Sequence, residues 1–191
     1  MRNAERLALC ILVCAAMTGC ASSKYEAPEN PHNTIDTGGQ YFGPEEEWKE
    51  GEVTIPSYPD GADLIAFDVF GPTDKAYYVD ARSISIGTDG VVRYTVLVRP
   101  PEGAENVAFE GIRCEERTWK PYAYGRRDRT WASARDPKWQ PVVDQSIDDF
   151  RFTLYRAYFC PDGLPRRKAE EAIADIRRQF QAGPLDERRY P

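Results

Sequence analysis

The apolar positions of this chain change period twice. Residues 7–17, LALCILVCAAM, form an unbroken apolar run. From Leu64 onward, short runs rich in β-branched and aromatic residues alternate with polar ones: Leu64–Phe70, Ala76–Asp80, Ser83–Ile86, Val91–Val98, Asn106–Arg113 and Glu116–Tyr124. Shorter runs follow at Trp131 and at Trp139–Val142. A period of two sends successive side chains to opposite faces, so these runs predict strands. Gly71-Pro72, Thr88-Asp89-Gly90 and Pro100-Pro101-Glu102-Gly103 interrupt them, and Asp-Gly between two β-rich runs predicts a hairpin. Many strands at short spacing predict an antiparallel sheet.

Near the C-terminus the period lengthens. Phe150, Leu154, Ala157 and Tyr158 recur at helical spacing behind Ser146, a candidate N-cap, with Asp148 and Asp149 in the first turn where the helix dipole favours carboxylates. Cys160-Pro161-Asp162-Gly163 ends that helix. A second is predicted from Pro165 to about Phe180, carrying Ala169, Ala172, Ile173, Ile176 and Phe180 on one face and Arg166, Arg167, Lys168, Arg177 and Arg178 on the other. The predicted fold class is α+β: one domain over residues 48–183, an antiparallel β-sheet packed against one or two C-terminal helices. Trp48 opens a meandering lead-in broken by Pro56 and Pro59, and residues 184–191 are a C-terminal tail.

The N-terminal run has a different use. Eleven apolar residues are too few to cross roughly 30 Å of hydrocarbon, which takes about 20 in a helix. With Arg2 and Arg6 before it and Thr18-Gly19-Cys20 after it, residues 1–19 read as a secretory signal peptide. Met17-Thr18-Gly19-Cys20 resembles the lipobox of bacterial lipoproteins, although that family prefers Leu where Met17 stands. The resemblance implies that Cys20 is diacylated and becomes the mature N-terminus. Each buried CH₂ of an acyl chain adds about 0.8 kcal/mol, so several chains anchor firmly. Ala21 and Ser22, in place of Asp, are similar to the pattern that sorts Gram-negative lipoproteins to the outer membrane. The expectation is a lipid-anchored, periplasm-facing protein.

Residues 20–47 read as a lipidated, disordered tether, with Pro28, Pro31, Pro44 and Gly38-Gly39 and no regular period. As a flexible coil it would separate its ends by about 25–30 Å. Once the signal is removed and Cys20 is acylated, only Cys114 and Cys160 remain of the five cysteines. In an oxidising periplasm they are most simply one disulfide. A redox pair is the alternative, without a C-x-x-C spacing to support it.

Charge divides unevenly along the chain. Residues 20–110 hold 6 Lys/Arg against 17 Asp/Glu, and residues 111–191 hold 17 against 13. That asymmetry fits either two faces of opposite sign or an acidic tether beside a balanced domain.

Composition removes several chemistries. The one histidine, His32, lies in the tether, so no imidazole base stands beside a nucleophile and no His/Cys zinc site is available. No phosphate-binding G-x-x-x-x-G-K-[ST] loop is present. Asp144, Asp148 and Asp149 lack EF-hand spacing. No cofactor, metal, nucleotide or nucleic acid is expected. Glycoside cleavage needs only two carboxylates, but no pair stands out.

The strings Tyr78-Val79-Asp80, Ser83-Ile84-Ser85 and Asp89-Gly90-Val91-Val92-Arg93-Tyr94, followed by Glu110-Gly111-Ile112-Arg113-Cys114, resemble the CNP1-like family of proteobacterial lipoproteins. So do Ala134-Arg135-Asp136 with Trp139, and Tyr155-Arg156 with Tyr158-Phe159-Cys160-Pro161. The resemblance covers roughly residues 48–180 and implies the family's lipoprotein character without an activity. The order of strands, paired cysteines and closing helix is also similar, in topology alone, to the surface-adhesion protein E family.

Segment 117–139, RTWKPYAYGRRDRTWASARDPKW, interleaves cations with aromatic rings. Arg117, Lys120, Arg126, Arg127, Arg129 and Arg135 alternate with Trp119, Tyr122, Tyr124, Trp131 and Trp139. Cations beside flat rings suit a polyanion or glycan through charge, stacking and cation–π contact. The alternative is that the rings point inward as sheet core while the cations cover the outer face. Arg113 is expected across the sheet from an Asp such as Asp80, as a contact of the fold; the alternative is a buried cation at a recognition site. The functional expectation is a non-catalytic outer-membrane lipoprotein that binds an envelope protein, peptidoglycan or a lipid headgroup. A surface-exposed adhesin is the alternative, and a carboxylate-based cell-wall glycan enzyme the third reading.

Overall fold

A computed structural model describes residues 47–143, 150–183 and 185 of the chain. The signal peptide, Cys20, nearly all of the tether and the proposed cap at Ser146, Asp148 and Asp149 lie outside the described residues, as does most of the tail.

The sheet is an antiparallel meander in the order β1-β2-β3-β4-β5-β6, with a two-residue β7 also paired to β5. Its strands are β1 (Leu64–Phe67), β2 (Ala76–Ile86), β3 (Val91–Arg99), β4 (Asn106–Arg113), β5 (Thr118–Gly125), β6 (Trp131–Ser133) and β7 (Gln140–Pro141). Short connections favour this order, because antiparallel neighbours need only a turn between them. At the β2–β3 hairpin the Gly87 N–H donates to the Val91 carbonyl at 2.9 Å, and Gly90 supplies the positive φ of 75°.

Two expected strands are one. Ala76–Asp80 and Ser83–Ile86 belong to a single β2, whose register against β3 slips between Asp80 and Ser85. Ser83 makes this possible: its hydroxyl donates to the Asp80 carbonyl at 2.7 Å and accepts the Thr95 N–H at 2.7 Å. A side chain thus stands in for a missing ladder bond. The first strand is shorter than expected, closing at Phe67.

Along β3, Val92, Tyr94 and Val96 face the C-terminal helices, and Arg93, Thr95 and Leu97 face the other way, as the pleat requires. The helical side holds the main core: Ile65, Phe67, Val79, Tyr94, Ile112, Leu154, Tyr158, Phe159 and Ile176 are all buried. The first helix, α1, runs as an α-turn over Phe150–Thr153 and continues as a wider π-helical stretch over Leu154–Phe159. There the Cys160 N–H reaches back to the Tyr155 carbonyl at 2.9 Å. The sequence Ala157-Tyr158-Phe159-Cys160 is buried without a break, more than one stripe of an α-helix would cover.

The second helix, α2, spans Ala169–Ala182 and not Pro165 to Phe180. The intervening residues are held elsewhere: the Arg166 N–H donates to the Phe159 carbonyl at 3.0 Å, and Lys168 is extended. Ala172 and Ile176 are buried as expected, whereas Phe180 is 49% exposed. Cys114 and Cys160 form a disulfide joining β4's end to the end of α1, with Cα atoms 5.4 Å apart. No helix among the described residues is long and apolar enough to cross a membrane.

Candidate functional site

The face of the sheet turned away from the helices is covered by residues 47–62, an extended strap without secondary structure of its own. Side chains fasten it. The Trp48 indole N–H donates to the Asp89 carbonyl at 2.8 Å and the Gly51 N–H to Asp89 Oδ2 at 2.8 Å. Glu50 reaches under the strap, accepting from the Tyr122 hydroxyl at 2.7 Å and pairing with Lys120 Nζ. Farther along, the Trp131 indole donates to the Pro56 carbonyl at 2.9 Å and Arg129 Nη2 to the Pro59 carbonyl at 2.7 Å.

The cations beneath the strap are buried. Arg93, in a strand buried from Val91 to Leu97, is 6% exposed, and Lys120 and Tyr122 are buried beside it. Arg93 Nη2 lies 2.6 Å from Asp89 Oδ2 and 3.9 Å from Glu50 Oε1. Burial disfavours the Arg93 charge, but its hydrogen bond to Asp89 and the charges around it outweigh this and raise its pKa. Burial, reinforced by the hydrogen bond to Glu50, pushes the Tyr122 hydroxyl far up, so it stays a donor. Gly111, paired in register with Lys120, leaves room for the Tyr122 ring: a Cβ there would come within 2.7 Å of the Tyr122 hydroxyl.

Arg113 is not opposite Asp80. Its guanidinium lies 3.9 Å over the Trp48 ring and Nη2 is 3.5 Å from Glu116, while Asp80 sits between β1 and β3 and accepts the Arg82 N–H at 3.1 Å. Register explains this, since β4 and β2 are separated by the whole of β3.

The residues of segment 117–139 fall into three places. Lys120, Tyr122, Trp131 and Trp139 lie on the strap side, and Trp139 packs edge-on against Trp48 at 5.9 Å. Trp119 is on the helical side under Arg151, whose guanidinium is 3.6 Å from its centroid. Arg117 is exposed, 5.4 Å from the Phe152 ring, and Tyr124 is 47% exposed. Arg135 is exposed. Arg126, Arg127 and Arg129 are exposed on the β5–β6 hairpin.

Those three arginines line an open cleft of about 660 Å³, and Arg99 lines it with them. Tyr58 and Pro59 of the strap form one wall, with the Tyr58 ring 5.6 Å from the Arg129 guanidinium. Four guanidinium groups face two carboxylates, Asp60 and Glu105. Glu105 is bound to Arg99 at 2.8 Å and Asp60 to Arg82 at 3.3 Å. Arg99 is thus the one of the four that pairs with a lining carboxylate among the described residues; Arg129 donates to the Pro59 carbonyl, and Asp128 on the same hairpin offsets part of the Arg126 charge. Such a surface can hold phosphates or carboxylates through charge-assisted hydrogen bonds.

Sequence reasoning missed Glu50, Arg93, Arg99 and Tyr58, and also Glu110. The Glu110 carboxylate is fully buried on the helical side, held by Arg151 at 2.6 and 2.9 Å and by the Tyr94 hydroxyl at 3.1 Å. A usable signal existed for Arg93, a charge inside VVRYTVLV, and for Glu50, two residues beyond Trp48 and so on the same side of an extended chain.

No solved structure matches the chain. It is 27% identical over 184 residues to Cryptic neisserial protein 1 of Neisseria gonorrhoeae, covering 86% of this chain and 87% of that protein. The model of the CNP1-like family matches residues 44–177, which take in the strap, all seven strands, the disulfide and most of both helices. The chain belongs to the CNP1-like family.

Proposed function

We propose that this protein is a non-catalytic lipoprotein of the outer membrane, anchored through Cys20 and facing the periplasm, whose domain binds an anionic component of the envelope. The observation that carries the binding role is the cleft of about 660 Å³ lined by Arg99, Arg126, Arg127 and Arg129 with the Tyr58 ring on its wall. Among the described residues, three of those arginines have no ion pair with a carboxylate lining the cleft, and an open, polar groove suits an extended ligand. Phosphate- or carboxylate-bearing polymers and headgroups fit it, because guanidinium binds both in a forked geometry. The anchoring role rests on Met17-Thr18-Gly19-Cys20 and the apolar run before it.

The test is binding of the soluble mature chain to phosphatidylglycerol vesicles and to isolated sacculi, against neutral phosphatidylcholine vesicles. Arg126→Ala/Arg127→Ala is the informative variant, since Arg129 also fastens Pro59. At about 1 kcal/mol per cation near an anionic surface, it loses roughly thirtyfold in affinity and keeps its melting temperature. Unchanged binding to both probes refutes the reading. For the anchor, labelled palmitate enters the wild-type chain and not Cys20→Ala.

A further inference from the structure

The strap places two side chains in slots of the sheet. Trp48 lies between the Arg113 guanidinium, at 3.9 Å from its ring, and Trp139, at 5.9 Å. Glu50, two residues on, enters a pocket whose walls are Arg93, Lys120 and the Tyr122 hydroxyl. All three are at least nine-tenths buried. Between these slots Asp89 accepts the indole N–H through its backbone carbonyl and the Gly51 N–H through its carboxylate. Donor capacity remains, since Arg93 Nε is buried without a hydrogen-bond partner among the described residues. The strap contributes no strand to the sheet, so its hold is side-chain recognition throughout.

From this arrangement we infer a second binding site, separate from the arginine cleft. It recognises an extended peptide carrying an aromatic residue and, two positions later, a carboxylate, and the chain fills it in cis with Trp48 and Glu50. In an extended segment residues i and i+2 share a side, which matches the two slots. Buried cations need a carboxylate opposite them, which gives the site its preference for an acidic partner. A short connection makes the cis segment equivalent to a roughly millimolar or higher ligand concentration. A partner segment of the same chemistry binds when it outcompetes the strap.

The probe is a fluorescent synthetic peptide of residues 47–55, which leaves out Tyr58, Pro59 and Asp60 of the cleft, titrated against the full mature chain. Wild type binds it weakly because the site is occupied. Trp48→Ala/Glu50→Ala, which empties the slots, binds it at least about tenfold more tightly, and adding Lys120→Ala removes the gain. Equal binding by wild type and the double variant, or a gain that survives Lys120→Ala, overturns the inference. Should the double variant fail to fold, Glu50→Ala alone decides. Acetate raises its melting temperature at concentrations that leave wild type unmoved, by refilling the carboxylate site. Absence of that rescue overturns the inference as well. The cleft variant Arg126→Ala/Arg127→Ala leaves peptide binding unchanged, so the two sites fail independently.

Discussion

Asp89 grips both ends of the Arg93 guanidinium across the β2–β3 turn: Nη2 donates to Oδ2 at 2.6 Å and Nη1 to Oδ1 at 3.2 Å. The same carboxylate accepts the Gly51 N–H of the strap and the Val91 N–H of β3. One side chain in a tight turn thus orders the turn, a buried cation and the segment that covers it. Gly87 is required beside it, since a Cβ there would lie 2.1 Å from Asp89 Oδ1.

Stability should therefore fall in acid in a way traceable to this carboxylate. Burial pushes the Asp89 carboxyl up, but the hydrogen bonds from Arg93, Gly51 and Val91 and the charge of Arg93 outweigh it and bring it down to about 2. An unfolded Asp titrates near 3.9, so the depressed folded value contributes on the order of 2 kcal/mol that is fully present above about pH 5. That contribution is lost progressively as pH falls from there through 2. Urea midpoints of wild type and Asp89→Asn should differ most at pH 6, and the difference should shrink to about a third by pH 2.5. A constant difference across that range would contradict the assignment.

The Glu110–Arg151 pair makes a second prediction. Removing one member of a buried ion pair strands the other, and Arg151→Ala should destabilise the domain by about 3–5 kcal/mol. Replacing both, as Glu110→Leu/Arg151→Met, should cost much less than the sum, because the desolvated charge goes with its partner. Denaturant titration of the cycle reads this coupling directly, and additive effects would argue against it.

Gly111→Ala should be poorly tolerated although Ala suits a strand. Its Cβ would meet the Tyr122 hydroxyl at 2.7 Å and Val91 Cγ1 at 2.9 Å. Lifting Tyr122 breaks its bond to Glu50. The expected loss is about 2 kcal/mol, in the range of core overpacking, with greater proteolytic cleavage inside residues 47–62. Unaltered strap protection would show that Tyr122 does not hold it.

The Cys114–Cys160 disulfide closes a loop of 46 residues. On the chain-entropy estimate its removal as Cys114→Ala/Cys160→Ala lowers stability by up to about 4 kcal/mol. Thermal unfolding with and without reductant measures it in the wild-type chain, and the reduced protein should match the double variant.

The elements themselves were largely legible. Alternation in VVRYTVLV and the Asp89-Gly90 turn mark β3 and its hairpin, and the helical recurrence of Phe150, Leu154, Ala157 and Tyr158 marks the first helix. Boundaries were less so. The start of α2 depends on Arg166 bonding back to Phe159 and Tyr158, and the continuity of β2 depends on Ser83 bridging its bulge. Both are tertiary contacts that propensity does not encode.

By itself the sequence determined the antiparallel α+β class, the single pair of cysteines left to bond in the domain and the alternation of cations with rings over residues 117–139. These follow from local period and composition. Only the tertiary structure decided what each cation meets. Period two assigns Lys120 and Trp119 to opposite faces, but not which face is covered by helices and which by a strap 70 residues away in sequence from Lys120. Lys120 found Glu50, Trp119 found Arg151, and Arg126 and Arg127 were left at an open cleft. Partners so distant along the chain are chosen by packing and by the need to neutralise buried charge, and no local pattern records that choice.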